Sequence, residues 1–200
     1  MSFLNRFSLA VATLCAAIAP AFAAPMEMID LATHQPLLVH PEALGQGSSE
    51  PRQSAIPRET VAYSGRYEAG TIVISVPERR LYYVLPNGQA IRYGVGVGRP
   101  GFEWAGVKTI TRKAEWPAWT PPSQMLRRRP DLPRHMAGGI DNPLGARAMY
   151  LGSSLYRIHG SNEPDTIGQA VSSGCIRMTN QDVEDLYEHA QVGTKVVVVR

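Results

Sequence analysis

Thiols are scarce in this chain. It has 200 residues and two cysteines, Cys15 and Cys175. Cys15 lies in an N-terminal stretch that reads as a secretory signal, so a cleaved product keeps Cys175 alone. A single thiol cannot close an internal disulfide, and it cannot build a tetrahedral zinc site of several cysteines. It is either paired between molecules or reactive. Long apolar runs are also missing. Phe7 to Ala19 comes nearest, but Ser8 and Thr13 interrupt it. It is shorter than the ~20 residues a membrane-spanning helix needs. Arg6 precedes it, Pro20 ends it, and Ala21-Phe22-Ala23 is a small-x-small cleavage site. Residues 1–23 are therefore expected to be a cleaved signal peptide. A lipoprotein signal would need a small residue directly before Cys15, where Leu14 stands.

Charge is sparse as well, at 18% of residues and a formal net charge of +3. The Arg127-Arg128-Arg129 run is the one basic cluster. Nucleic-acid readers usually carry a longer basic stripe interleaved with aromatics, so no nucleic-acid partner is expected. The run reads as a solvated loop or as a contact for an anionic polymer. His34, His40, His135 and His189 are scattered, with no HExxH or similar spacing, so no metal and no cofactor are expected. Repeats and low-complexity tracts are absent too.

Turn formers and short apolar runs are plentiful. Gly (18) and Pro (16) are both high, and 44% of residues are hydrophobic. That composition suits strands joined by turns. Residues 24–68, with Pro25, Pro36, Pro41, Pro51, Pro57 and the Gly45-to-Ser49 stretch, read as a linker or loosely ordered tail, with room for one short helix or docked strand. Order is expected from about residue 69. Strands are expected at Thr71–Val76, Arg80–Leu85 and Gln89–Val97, forming an antiparallel meander. Pro86-Asn87-Gly88 is a turn signal, since Asn and Gly tolerate positive φ. Gly94, Gly96 and Gly98 alternate at the end of the third strand with no helix pattern behind them. They mark close packing or a bend, not a dinucleotide fingerprint. Further strands are expected at Val107–Ala114, Ala148–Gly152, Leu155–Ile158 and Lys195–Val199. The prolines of Glu115–Pro122 forbid regular structure there, and Trp116 and Trp119 pack over the core or line a groove, with the core preferred. One helix follows residue 179, capped by Thr179 or Asn180, with Val183, Leu186, Tyr187 and Ala190 on one face. The fold class is mainly β, a sandwich or barrel with one short helix after the Cys175 loop.

The segment Ile158–Met178 carries the chemistry. His159 closes a strand, and Cys175 follows sixteen positions later behind Ser172-Ser173-Gly174. A free thiol has a pKa of ~8.5, so a cysteine nucleophile needs a base. An imidazole can take the proton and hold the thiolate as an ion pair, provided an acceptor orients its other nitrogen. Gly174 lets the chain turn sharply before the thiol. The N–H groups of Gly174 and Cys175 are candidate oxyanion donors, with Ser173 a weaker one.

His159-Gly160, then Ser172-Ser173-Gly174-Cys175-Ile176-Arg177-Met178, followed by Asn180 and Asp182 at a helix start, resembles the signature of the L,D-transpeptidase (YkuD) family, of the ErfK/YbiS/YcfS/YnhG type. Thr120-Pro121-Pro122 and Asn142-Pro143-Leu144-Gly145 fit the same resemblance, which spans about residues 70–199. It implies a cysteine-dependent acyltransferase of the periplasm, exported across the inner membrane. Cys175 would be the nucleophile and His159 the base, oriented by a backbone carbonyl in the Gly160-Ser161 stretch. Arg177 would shape the site or form a structural ion pair. Ser161 and Ser173 would contact substrate or satisfy backbone groups, and Tyr150 is placed in the core. The implied partners are peptidoglycan stem peptides and, as an acyl acceptor, a stem-peptide amine, a wall-attached protein or water.

Overall fold

The structure is a computed structural model that describes residues 27–29, 36–38 and 56–200. The expected signal peptide lies outside the described residues, as does most of the expected tail. The chain divides into two units, residues 1–49 and 50–200. In the first, β1 (Glu27–Ile29) pairs antiparallel with β2 (Pro36–Leu38).

The second unit is built on one nine-stranded sheet. Its strands are β3 (Glu59–Ala62), β4 (Ile72–Ser75), β5 (Arg80–Leu85), β6 (Gln89–Gly94), β8 (Gly106–Glu115), β9 (Arg147–Leu151), β10 (Arg157–His159), β12 (Ile176–Arg177) and β13 (Lys195–Val199). The spatial order is β12-β10-β9-β8-β13-β4-β5-β6-β3. The short strands β7 (Val97–Gly98) and β11 (Ala170–Ser172) pair separately and in parallel. The expected meander is present as β4, β5 and β6, all antiparallel. Asn87 and Gly88 both take positive φ at its second turn. β3 docks antiparallel on β6 within the stretch expected to be a tail.

The closing run Lys195–Val199 sits mid-sheet, antiparallel to β8 and parallel to β4. Val196, Val197 and Val198 are all buried, as are Ile72, Val73 and Ile74 beside them. A strand covered on both faces needs a continuous apolar run, and both strands have one. The sheet curls until its ends approach: Gly96, just past β6, exchanges two backbone hydrogen bonds of 2.9 Å with Arg177 of β12. Glycines permit the close backbone approaches around this closure. A Cβ on Gly96 would lie 3.0 Å from the Thr166 carbonyl, and one on Gly98 would lie 2.5 Å from that of Phe102.

Two helices complete the unit. α2 (Asn180–His189) is the expected one, and Thr179 caps it by accepting from Asp182 N–H. Its Val183 and Leu186 are fully buried, each worth roughly 1.5–3 kcal/mol of transfer free energy. α1 (Ser123–Arg128) was not legible in the sequence. It has a single turn-and-a-half and no buried residue, so it leaves no apolar stripe to read. The preferred core packing is not found for either tryptophan, and Trp119 takes the groove alternative. Trp116 is 41% exposed, and Trp119 is half-buried with its side chain lining a cleft. The reason is the proline-rich segment, which leaves the sheet after the Trp116 N–H bonds the Ala146 carbonyl, and whose Trp119 then exchanges backbone bonds with Met136. Tyr150 is also half-buried, under the Arg112 guanidinium 3.6 Å from its ring centre.

A cation of the sheet holds the C-terminal end of α2. Lys113 Nζ of β8 donates to the carbonyls of Tyr187 and Ala190, at 2.6 and 2.7 Å. These lie at the helix C-terminal end, where unpaired carbonyls favour positive charge. Lys113→Met should therefore lower stability in chemical denaturation by about 2 kcal/mol. A loss below a few tenths would show that water replaces the ammonium without cost.

Candidate active site

Strand register brings the chemical residues together. β10 and β12 run parallel, with Ile158 opposite Ile176 and His159 opposite Arg177. Both isoleucines are buried in the core. Neighbouring side chains on a strand point to opposite faces, so Arg157, His159, Cys175 and Arg177 share the other face. All four line one cleft of about 420 Å³. Its opposite wall is α1, through Gln124, Met125 and Arg128, together with Trp119 and Pro122. The Thr120-Pro121-Pro122 element thus ends at the cleft wall.

His159 is buried, and its Nδ1 lies 2.6 Å from the Gly160 carbonyl. A carbonyl only accepts, so Nδ1 carries the hydrogen and Nε2 keeps the basic lone pair. Gly160 can sit there because it has no side chain. A Cβ on Gly160 or on Gly145 would run into Asn180 Oδ1, which accepts the Ala146 N–H at 2.9 Å. Burial pushes the imidazole pKa down to about 3. The Arg177 and Arg157 guanidiniums add to the shift, and the Gly160 and Pro143 carbonyls oppose it.

Cys175 is half-buried, and its thiol donates to the Leu155 carbonyl at 3.7 Å. Burial pushes the thiol pKa up, against the pull of Arg157, through both its charge and its backbone, and of Arg177. Both shifts favour the neutral forms, a thiol and an imidazole, over a thiolate–imidazolium pair. The loop in front of the thiol is held from several sides. Ser172 Oγ accepts the Gly174 N–H at 3.0 Å and donates to the Cys175 carbonyl at 2.6 Å. Trp104 Nε1 donates to the Gly174 carbonyl at 2.8 Å. The Trp104 ring stacks on Tyr156 with centroids 4.7 Å apart. Gly174 has φ +105°, and a Cβ there would lie 2.6 Å from the Tyr156 ring.

The other expected residues divide. Gly174 lies where expected, but its N–H is already bonded to Ser172. The Cys175 N–H has no hydrogen-bond partner among the described residues. Ser173 Oγ lines the cleft and accepts from Arg99 Nη1 at 3.1 Å. Ser161 is buried and accepts the Glu163 N–H at 2.9 Å, which satisfies backbone. Arg177 both lines the cleft and pairs with Glu163 at 2.8 Å. In the arginine run, Arg127 and Arg128 end α1, and Arg129 pairs with Asp131 at 2.6 Å. Sequence reasoning missed Ser172, Trp104, Tyr156, Arg99 and Arg157. For Ser172 a signal existed: a serine two residues before a glycine readily bonds that residue's N–H. Trp104 and Arg99 come from a distant segment, and Tyr156 and Arg157 stand just before His159, with no motif to mark any of them.

A curled β-sheet domain with a thiol and an oriented imidazole on one cleft wall defines the class. The family model of the L,D-transpeptidase catalytic domain (YkuD) matches residues 69–198. The chain belongs to the YkuD L,D-transpeptidase family, and with it to a family of acyltransferase enzymes. It is 41% identical over 137 residues to a protein of Escherichia coli (strain K12) named probable L,D-transpeptidase ErfK/SrfK. That match covers 64% of this chain and 43% of the relative, so the chain spans less than half of the relative's length. It is 44% identical to a crystal structure from Brucella melitensis described as a probable carnitine operon oxidoreductase, a name that belongs to that protein. The match covers 74% of this chain and 96% of that one, with a TM-score of 0.50. An L,D-transpeptidase from Mycobacterium smegmatis shares the fold at 16% identity and a TM-score of 0.53, over 65% of this chain and 58% of that one. No helix among the described residues is long and apolar enough to cross a membrane.

The buried imidazole makes stability depend on pH. In the unfolded chain it takes up a proton near its ordinary 6.5, whereas in the folded protein it stays neutral down to about 3. Between these limits the unfolded state binds more protons, so stability falls as pH drops, by at most ~1.4 kcal/mol per unit. Urea unfolding at pH 7, 5.5 and 4.5 should show this slope, and His159→Gln should flatten it. Equal slopes would show that His159 does not contribute.

Proposed function

We propose that the protein is a peptidoglycan L,D-transpeptidase with Cys175 as nucleophile and His159 as general base. The observation that supports this best is the shared cleft face of Cys175 and His159, with the imidazole Nδ1 tied to the Gly160 carbonyl. That tether leaves Nε2 as the proton acceptor. When a donor peptide fills the cleft, Nε2 takes the thiol proton and the thiolate attacks the carbonyl of an L-centred residue. Diaminopimelate in a stem tetrapeptide is the residue that fits the family. The Cys175 N–H is the donor free to stabilise the oxyanion, an interaction typically worth ~3 kcal/mol in the transition state. The tetrahedral intermediate collapses with cleavage of the C–N bond, and the departing D-alanine amine receives the proton held on His159. A thioester remains on Cys175. An amine then attacks it, gives its proton to His159, and leaves as an amide while the thiol re-forms. A stem-peptide amine makes a 3–3 cross-link, and a wall protein's amine makes a protein–wall link. Water in the same step gives L,D-carboxypeptidase activity. Every step is an acyl or proton transfer, so no cofactor is required. The periplasm is the compartment that holds this substrate, consistent with the signal expected in residues 1–23.

Incubation with a disaccharide tetrapeptide and mass spectrometry of the products tests this reading. A dimer lacking one D-alanine means transpeptidation, and a tripeptide means carboxypeptidation. Cys175→Ala should form neither product while keeping the wild-type melting temperature. Unchanged substrate with the wild-type protein would refute the proposal, and product from Cys175→Ala would refute the nucleophile. A carbapenem should add once to the wild-type mass and not to that of Cys175→Ala, since a thiolate poised for acyl transfer opens the lactam.

A further inference from the structure

A guanidinium drawn partly out of water without a counter-ion is costly. Arg128, Arg157 and Arg177 line the cleft, and no acidic side chain does. Arg177 is already paired with Glu163. Arg128 stands exposed on α1, 5.3 Å from the Phe102 ring centre. Arg157 differs from both. It is half-buried, and its Nη2 donates only to the nearby Leu155 carbonyl, at 3.2 Å. Its Nε is buried and has no hydrogen-bond partner. Among the described residues no carboxylate forms an ion pair with it. Its guanidinium lies 5.5 Å from the Tyr150 ring centre, and that ring offers no counter-charge.

Its position relative to the thiol is fixed by register. Ile158 is opposite Ile176, so Arg157 and Cys175, one residue earlier on each side, come level. Adjacent strands are about 4.8 Å apart. A carbonyl under attack by Cys175 therefore lies one strand spacing from the Arg157 backbone, well within the reach of its side chain.

We propose that Arg157 is a specificity-determining residue that binds the α-carboxylate of the amino acid released from the acyl donor. The inference rests on the proposed acyl-transfer reading. In a donor cleaved just before its last residue, that carboxylate lies about one residue, ~3.8 Å, beyond the scissile carbonyl. A planar guanidinium can take it bidentately. The Arg157 guanidinium, with no carboxylate partner among the described residues in the free protein, then gains one when the donor is bound. The substrate class that follows is a peptide ending in a free carboxylate one residue past the L-centre. A neutral C-terminus would leave the arginine facing an amide.

The test uses the Cys175→Ala protein, which binds without turnover. Calorimetry compares the stem tetrapeptide with its C-terminal carboxamide, with Arg157 present and in Arg157→Gln. With Arg157 the acid should bind at least about tenfold tighter than the amide. Arg157→Gln should bring the two within about twofold by weakening the acid alone, and Arg157→Lys should keep part of the difference. A merely structural arginine would weaken both ligands equally. That result, or equal affinity for acid and amide with Arg157 present, or no binding of the acid, would overturn the inference. Should Arg157→Gln fail to fold, the comparison with Arg157 in place and Arg157→Lys still decide it. D-Alanine release by the wild-type protein is measured in parallel. Selective acid binding without release would sink the acyl-transfer reading and leave the carboxylate site standing. Release without selectivity would do the reverse.

Discussion

The parallel pairing of β10 with β12 is the constraint on which the site depends. Ile158 and Ile176 lock that register by burying their side chains in the core. A slip of one residue would send His159 or Cys175 inward and an isoleucine into the cleft, because strand side chains alternate with period two. A parallel pair needs a crossover, and the residues between β10 and β12 supply it. That segment carries β11 back against β7, and the Gly96–Arg177 bridge then closes the curl of the sheet. The site therefore lies at a seam, where the edge strand β12, the segment after β6 and the start of α2 meet. Asn180, the first residue of α2, fits between Gly145 and Gly160, next to the carbonyl that holds His159.

Electrostatics sets the state of the two reactive groups. The same burial that orients His159 removes its positive form, and the two flanking arginines act in the same direction. On the thiol the arginines oppose burial, and burial prevails. Oxidation follows thiolate character, so a neutral resting thiol suits a lone cysteine expected in an oxidising compartment. In the proposed mechanism, reactivity arises with the donor in place, when water leaves the cleft and the N–H of Cys175 meets developing charge.

Much of the fold was legible because the signals were local. The three-strand meander, the turn at Asn87-Gly88, the capped helix and the closing valine run each depend on neighbours in sequence. The placement of that valine run was not legible, because pairing with β4 and β8 is decided by packing across more than eighty residues. α1 was missed because it is short and buries nothing, and the core was preferred to a groove for Trp119 because a wall of a cleft needs the same aromatic surface as a core. At the site, Cys175, His159 and the tether to the Gly160 carbonyl followed from the motif. Trp104 and Arg99 did not, because they reach the loop from a distant segment, and Tyr156 and Arg157 did not, because their part is set by strand pairing rather than by the motif. The motif marks the proposed reacting atoms, and the fold supplies what holds them.

The most direct test of the account is to trap the covalent intermediate. The protein is mixed with the stem tetrapeptide, quenched in acid and digested, and the peptides are mapped by mass spectrometry. The account predicts one adduct, of the tetrapeptide less D-alanine, on the fragment containing Cys175 and labile to hydroxylamine as a thioester is. An adduct on any other residue, or product formed with no Cys175 adduct under any quench time, would contradict it.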